Sequence, residues 1–198
     1  MLVELTIEHM ENNDFILIHN FIDGAVSNNY LEILKREINW RQDKFKIFGK
    51  VLDVPRLTAW YGDNGLKYSY SGLSLIANGW HPKVEEIKNK VESNYHVDFN
   101  SVLINYYRDN NDSMGWHSDA EKELGTNPII GIVSLGETRS LQFKHKRDKS
   151  IKSFSLELSN GSLLIMGSDV QHNWLHQIPK SKRILGERIS LTFRKIIN

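Results

Sequence analysis

Two side chains that commonly bind metals stand two positions apart in the middle of the chain, His117 and Asp119. On an extended strand, residues two apart project to the same face, so both can offer a ligand atom to one ion. A His-x-Asp pair alone is a weak signal, because two ligands hold a divalent metal loosely. The distant His176 would complete a set of two imidazoles and one carboxylate. That set suits ferrous iron, because it leaves coordination positions open for oxygen and a co-substrate.

His172 and His176 compete for the third ligand position. Residues four apart meet on a helix, and two histidines at this spacing occur in zinc-protease motifs. The glutamate of that motif is absent, however, because Asn173 follows His172. Asp169, Asn173 and Pro179 favour a loop followed by a strand, so we assign the ligand to His176.

The segment 188–194 alternates strictly between polar and apolar residues. Its polar positions are Arg188, Ser190, Thr192 and Arg194. The polar face of a surface strand is usually solvated. Alternatively, the two arginines line a pocket for a dicarboxylate, because each guanidinium can bind a carboxylate through two parallel hydrogen bonds. Asn105 and Tyr107 also share a strand face and would add neutral hydrogen bonds.

Length and composition are those of an ordinary globular protein. The 198 residues suffice for one domain with a full hydrophobic core, and 40% are hydrophobic and 25% charged. The absence of cysteine excludes a disulfide framework and a thiolate metal site, and it fits a cytoplasmic or nuclear compartment. No signal peptide is evident and no apolar run approaches the length of a membrane span, so we expect no membrane partner. We expect a monomer.

The net charge is only +1, but the cations are unevenly distributed. One stretch with a single acid, Asp148, contains Arg139, Lys144, Lys146, Arg147, Lys149 and Lys152. Composition alone favours a solvated hairpin tip. The alternative is a clamp on nucleic-acid phosphates, which would give salt-dependent and sequence-independent affinity.

Hydrophobic periodicity predicts helices early in the chain and short strands late. Ser27 is expected to cap a first helix, and Pro82 to open a second, amphipathic one. Strands are predicted at 14–19, 102–107, 129–135, 140–144, 154–158, 163–166 and 189–194. This order indicates a sandwich or barrel with helices on one face.

Two aromatic segments lie between the predicted helices. Phe45 is expected to pack inward, whereas Phe48 directly precedes Gly49, where a tight turn would push the ring outward. Tyr68 and Tyr70 share one face if their segment is extended. An exposed tyrosine pair is a stacking platform and a buried pair is core, and the sequence leaves both open.

These residues resemble the AlkB family of iron(II)- and 2-oxoglutarate-dependent dioxygenases, in particular the animal branch that acts on alkylated DNA. The resemblance covers roughly residues 47–195 and includes many short strings in the same order, well beyond what one motif supports. Besides His117-Ser118-Asp119 and His176, they are Phe48-Gly49-Lys50, Pro55-Arg56, Tyr61-Gly62-Asp63, Ser71-Gly72-Leu73, Leu103-Ile104-Asn105, Pro128-Ile129-Ile130, Gly161-Ser162-Leu163-Leu164 and Leu191-Thr192-Phe193-Arg194. The implied fold is α+β, a double-stranded β-helix (jelly roll) with N-terminal helices packed on one sheet and a nucleotide-recognition lid.

The resemblance also implies a role for each matching position. The iron(II) ligands are His117, Asp119 and His176. The 2-oxoglutarate contacts are Asn105, Tyr107, Arg188, Thr192 and Arg194, with the two arginines on the carboxylates. The substrate contacts are Phe48, Gly49, Arg56, Tyr68, Tyr70, Ser71, Glu121 and Arg139.

Three of the substrate contacts carry specific expectations. Tyr70 would stack on the damaged base, Glu121 would lie near it, and Phe48 would fill the gap left by a flipped base. Tyr70 stands where the relative acting on duplex DNA has Phe, and Ala120 stands where both animal relatives have an acid. These two departures bear on substrate preference rather than on the reaction.

The implied activity is oxidative demethylation of bases such as 1-methyladenine and 3-methylcytosine, with release of formaldehyde, succinate and CO2. Residues 1–198 would form one domain, comprising an N-terminal strand and helix at 1–44, nucleotide-recognition hairpins at 45–80 and the jelly-roll core at 101–198. The partner would be alkylated DNA, single- or double-stranded, and RNA stays open. Two alternatives are a hydroxylase of a protein side chain or small molecule, and a non-catalytic nucleic-acid-binding module.

Overall fold

The computed structural model describes residues 7–9, 15–47, 49–70 and 73–197, and within them the chain forms fifteen strands and three α-helices. The helices are α1 Gly24–Glu37, α2 Pro82–Tyr95 and α3 Ser168–Asn173. The strands of the first half are β1 Ile7–His9, β2 Phe15–Ile18, β3 Lys44–Ile47, β4 Lys50–Asp53, β5 Leu57–Gly62, β6 Lys67–Tyr70 and β7 Leu73–Ile76. Those of the second half are β8 Ser101–Tyr107, β9 Met114–His117, β10 Ile130–Gly136, β11 Arg139–His145, β12 Phe154–Leu158, β13 Leu163–Met166, β14 Trp174–Ile178 and β15 Arg188–Arg194.

Two antiparallel sheets form the body of the protein. The larger has seven strands in the order β1-β2-β13-β10-β15-β8-β5, and the smaller has four in the order β12-β11-β14-β9. From β8 onward the chain passes repeatedly from one sheet to the other, which is the jelly-roll arrangement that the resemblance implied. The hairpins β3-β4 and β6-β7 form two separate two-stranded sheets.

The larger sheet is covered on both faces. On one side α1 and α2 bury Leu34, Val84 and Val91 in a cluster that also contains the apolar positions of β15. On the other side the two sheets enclose a second cluster, which includes Ile132 and Phe143. Because side chains alternate along a strand, the polar positions of β15 project into the space between the two sheets.

Most element predictions are confirmed to within about two residues, and the end assigned to a helix or strand varies by that much. The capping residue of the first helix is wrong. The helix begins three residues earlier than Ser27, because the Asp23 side chain accepts a hydrogen bond from the Ala25 amide at 2.8 Å. Ser27 lies buried within the helix, and its hydroxyl donates to the Ile22 carbonyl at 3.2 Å. The inward packing predicted for Phe45 is also wrong, because 41% of that residue is exposed.

A tight turn at Gly161 joins the start of α1 to the middle of the larger sheet. Its carbonyl accepts from the Ile22 amide at 2.9 Å and its amide donates to the Ser134 carbonyl at 2.8 Å. Gly161 has φ +75°, and a Cβ there would lie 2.1 Å from the Ile22 carbonyl oxygen. Gly65 has a similar φ of +81° but has open space around the position of a Cβ.

We expect Gly161→Ala to destabilise the protein more than Gly65→Ala. The positive φ costs an alanine about 1–2 kcal/mol at either site, and the backbone clash at 161 adds about 1–3 kcal/mol. Urea unfolding followed by circular dichroism measures both variants against the wild type. Equal losses at the two sites would contradict the packing described for the Gly161 turn.

Candidate metal centre

His117, Asp119 and His176 meet between the two sheets. Each offers one ligand atom, and these atoms all lie within 4.8 Å of one another. His117 ends β9 and pairs with His176 on the neighbouring β14, and the two ring centroids are 4.2 Å apart. Asp119 lies two residues beyond the end of β9. Asp119 and His176 are buried and His117 is half-buried, so a bound ion would be approached from the His117 side.

A change of register between β9 and β14 brings His117 into this position. His176 pairs with His117, whereas Ile178 pairs with Met114, so β9 contains one residue more than β14 over this interval. An extra residue of this kind redirects the side chains that follow it. As a result both Met114 and His117 line the same pocket although they are three positions apart. A strictly alternating strand would place them on opposite faces.

The proton positions at two of the three residues suit metal binding. The Nδ1 of His117 lies 2.9 Å from the Gly115 carbonyl oxygen, which can only accept, so Nδ1 is the donor and, in the neutral tautomer, Nε2 is the atom free to bind a metal. Burial lowers the pKa of His176 to about 3, which keeps this ring neutral at physiological pH. Metal ions bind the neutral form of imidazole.

Asp119 supplies the negative charge of the centre. Burial alone would raise the pKa of its carboxyl, but the Arg194 guanidinium and the two neighbouring histidines together outweigh burial and hold the pKa below its usual value. Arg194 also donates a hydrogen bond to Asp119 Oδ1. The structure therefore gives Arg194 a partner within the protein, in addition to the 2-oxoglutarate contact that the resemblance implied.

The candidate ligands open into a pocket with about 390 Å³ of empty space, part of which is open to solvent. Its polar lining includes all five residues expected to contact 2-oxoglutarate, namely Asn105, Tyr107, Arg188, Thr192 and Arg194. The polar face of β15 thus lines an internal pocket, and the alternative of a solvated face is wrong. Apolar side chains from both sheets, including Ile132 and Leu141, complete the walls.

Arg188 is the largest fully buried side chain in the described part of the protein. Its Nη2 donates to the Ser134 hydroxyl at 2.9 Å, whereas its Nε and Nη1 are buried with no hydrogen-bond partner among the described residues. Burial lowers the pKa of Arg188 to about 10, so the guanidinium stays cationic at neutral pH. A buried cation with two unused donors is costly by itself and fits a site for a carboxylate ligand.

Arg56 holds one of the side chains that line this pocket. It is buried, its Nε donates to the Asn105 side-chain oxygen at 2.8 Å, and Asn105 in turn lines the pocket. Arg56 was expected to contact substrate. Its side chain contacts Asn105, a predicted 2-oxoglutarate residue, and its contact with substrate stays a prediction.

The basic stretch does form a hairpin tip, between β11 and β12, but its cations differ in exposure. Arg139 is buried, and its guanidinium donates to the carbonyls of Asp109, Asp112 and Pro179 at 2.7–3.1 Å. Because these bonds occupy Arg139, its expected place in a surface phosphate clamp is not supported by the structure. Arg147, Lys149 and Lys152 are exposed in or beside the turn.

The base contacts expected from the resemblance are described only in part. Glu121 is half-buried, two residues beyond Asp119, and precedes a short 3-10 helix, Lys122–Leu124. Gly49 is exposed and has φ +77°. In β6, Tyr68 and Tyr70 pair with Leu75 and Leu73. The side chains of these two tyrosines, and all of Phe48 and Ser71, lie outside the described residues, so their base contacts stay predictions.

The choice between the two histidines is resolved by position. His172 is exposed on α3, with Nε2 3.4 Å from the Asn127 side-chain oxygen, whereas His176 is buried beside Asp119. The loop predicted around His172 is wrong, because residues 168–173 form a short helix.

Sequence reasoning missed two buried polar residues that contact the site. Ser134 bonds Arg188, and the Gln171 side-chain oxygen accepts from the Asp119 amide at 2.9 Å. Ser134 interrupts an apolar strand, which was a usable signal. Gln171 gave none, because its segment has no strand or heptad pattern.

Comparison with known proteins gives matches over most of the chain. A profile of the 2OG-Fe(II) oxygenase superfamily matches residues 14–194. The mouse (Mus musculus) protein named DNA oxidative demethylase ALKBH2 is 40% identical over 160 residues, which cover 78% of this chain and 67% of the mouse protein. The human (Homo sapiens) protein named alpha-ketoglutarate-dependent dioxygenase alkB homolog 3 is 36% identical over 188 residues, which cover 91% of this chain and 65% of the human protein. This chain therefore spans about two thirds of the length of these relatives.

Among solved structures, that of OsALKBH1 superposes with a TM-score of 0.60 at 14% sequence identity. The superposition covers 96% of this chain and 100% of the other, and at that identity it shows a shared fold. Among the described residues, no helix has both the length and the apolar character needed to cross a membrane.

We expect His117→Ala and Asp119→Ala to lose metal binding, because each removes one of three ligands that surround a single ion. Anaerobic titration with Co(II), followed by visible absorption, measures affinity without any catalytic step. His172→Ala is the matched control and should bind as the wild type does. If Asp119→Ala retained wild-type affinity while folded, Asp119 would not be a ligand.

Proposed function

The chain belongs to the 2OG-Fe(II) oxygenase superfamily, and from this premise we propose that it oxidatively demethylates N-alkylated bases in DNA. The observation that carries the proposal is the pairing of two sites in one pocket. Three candidate metal ligands and a buried arginine with two unused donors line it together. The name of the mouse relative supports the substrate class, and that of the human relative supports the use of 2-oxoglutarate.

The donor set fits iron(II) and the pocket fits 2-oxoglutarate. His117, Asp119 and His176 would hold the metal, and Arg188 would hold the far carboxylate of 2-oxoglutarate through its two unused N–H groups. When bound, iron(II) supplies oxygen activation coupled to oxidation of 2-oxoglutarate to succinate and CO2.

The protein's own residues orient the co-substrate and protect the site. Ser134 fixes one edge of the Arg188 guanidinium, which leaves the other donors directed to a ligand. Arg56 fixes the Asn105 side chain beside them. The apolar walls from both sheets limit water in the pocket, which strengthens these charge interactions.

The substrate would be a base rotated out of its stack, because a methyl group within a duplex cannot reach a pocket between two sheets. Bases such as 1-methyladenine and 3-methylcytosine cannot pair normally, so rotating them out costs less. They are also cationic, and the carboxylate of Glu121, two residues beyond Asp119, would favour that charge. Hydroxylation of the N-methyl group gives a hemiaminal, which releases formaldehyde and the unmodified base.

The surface around the pocket would bind the nucleic-acid strand. Phe48 would occupy the gap that the rotated base leaves, and Tyr70 would stack on the base itself. Arg147, Lys149 and Lys152 are exposed at the β11-β12 turn and would contact phosphates. DNA is the proposed substrate, and RNA remains an arm of the test below.

We expect Arg188→Met to weaken 2-oxoglutarate binding by a factor of about 10–100, since it removes charged hydrogen bonds worth about 1.5–3 kcal/mol. The same change replaces a buried cation by an apolar side chain of similar length, so the ligand-free protein should be as stable or more stable. Calorimetry in the presence of Co(II) measures the binding, and thermal unfolding without 2-oxoglutarate measures the stability. Arg36→Met, at an exposed arginine on α1, is the control. Wild-type affinity in Arg188→Met would remove this residue as the carboxylate contact.

The function itself is tested by anaerobic reconstitution with iron(II) and 2-oxoglutarate, followed by addition of oxygen and methylated oligonucleotides. We expect methyl loss and stoichiometric formaldehyde from 1-methyladenine or 3-methylcytosine in DNA. Parallel arms use single- and double-stranded DNA and RNA, and Asp119→Ala is the inactive control. Turnover of 2-oxoglutarate without methyl loss from any arm would show that the substrate is not a methylated base.

A further inference from the structure

We propose that Gln171 is a positioning residue that holds Asp119 for metal binding, an inference that rests on the proposed metal centre. Gln171 lies on α3 and is fully buried. Its Oε1 accepts from the Asp119 amide at 2.9 Å, across 52 residues of sequence. Its Nε2 lies 3.8 Å from the Met166 sulfur.

The need for this contact follows from where Asp119 lies. The aspartate stands beyond the end of β9, where the strand no longer fixes the backbone, yet it is buried. A buried backbone N–H requires an acceptor, and the Gln171 amide oxygen supplies it. The same bond fixes the backbone from which the carboxylate projects.

Asp119 therefore has two separate supports. Arg194 donates to the carboxylate, whereas Gln171 accepts from the main-chain amide. Residues behind a metal ligand that fix its orientation commonly account for a large share of metal affinity. Loss of Gln171 should accordingly weaken metal binding while all three ligands and Arg194 remain.

Gln171 is itself held in place by the hairpin next to it. The Lys146 ammonium donates to the Gln171 carbonyl at 2.6 Å, and the Lys146 amide donates to the Asn173 carbonyl at 2.7 Å. Val170 is fully buried and anchors α3 from the other side. The amide oxygen is thus presented to Asp119 from a fixed helix, as a positioning role requires.

The test measures Co(II) affinity of the complete protein by visible absorption, together with thermal unfolding. Gln171→Met keeps the length of the side chain and removes the acceptor, whereas Gln171→Glu keeps an oxygen in its place. The control is Gln177→Met, at a half-buried glutamine next to His176 in sequence. The Nε2 of Gln177 donates to the Gln142 side-chain oxygen at 2.8 Å and does not contact a metal-ligand residue. We expect Co(II) binding about 10–100-fold weaker in Gln171→Met, close to wild type in Gln177→Met, and largely restored in Gln171→Glu.

The outcomes separate this inference from the function that it rests on. Wild-type protein that binds no Co(II) overturns the metal centre itself, and the inference with it. Normal Co(II) binding by the wild type and by folded Gln171→Met overturns the inference alone. Should Gln171→Met fail to fold, Gln171→Glu decides, because near-wild-type binding supports the role of the oxygen acceptor and lost binding in a folded variant contradicts it.

Discussion

The buried pairing of Asp119 with Arg194 is the interaction on which the rest of the site depends. It joins the segment after β9 to the last residue of β15, 75 positions later in the chain, and both side chains are almost fully buried. Such a pair gains little stability over apolar packing, but loss of one partner strands the other charge at a cost of about 3–5 kcal/mol. Together with the two neighbouring histidines, the pairing lowers the pKa of a carboxyl that burial alone would raise, and a metal centre needs that anion.

The alternation of β15 shows what local sequence can predict. A strict two-residue period assigns each side chain of this strand to a face, and the resemblance supplied the role of its two arginines. What the period could not supply was whether the polar face is solvated or buried, because that depends on the second sheet, whose strands come from other parts of the chain. Phe45 and Arg139 were misplaced for the same reason. Arg139 is buried by partners such as Asp109 and Pro179, which lie up to 40 residues away, whereas Phe45 is exposed on the separate β3-β4 hairpin.

Supporting contacts were the least predictable part of the site. Each of Ser134, Gln171 and Arg56 forms a hydrogen bond to a residue that lines the pocket, and the two partners are 49 to 54 positions apart in sequence. No periodicity or spacing encodes such bonds, because they depend on how loops and the short helix α3 pack against the sheets. The candidate ligands themselves were predictable, because His117, Asp119, His176 and the strings around them resemble those of a known family.

The register shift between β9 and β14 carries a consequence for the length of the segment before His117. Removing one residue between Met114 and His117 would restore uninterrupted pairing of the two strands and would leave both side chains on the pocket face, two positions apart. With the residue present, uninterrupted pairing would turn either Met114 or His117 away from the pocket. The bulge is therefore what lets a segment of this length keep both side chains in the pocket wall.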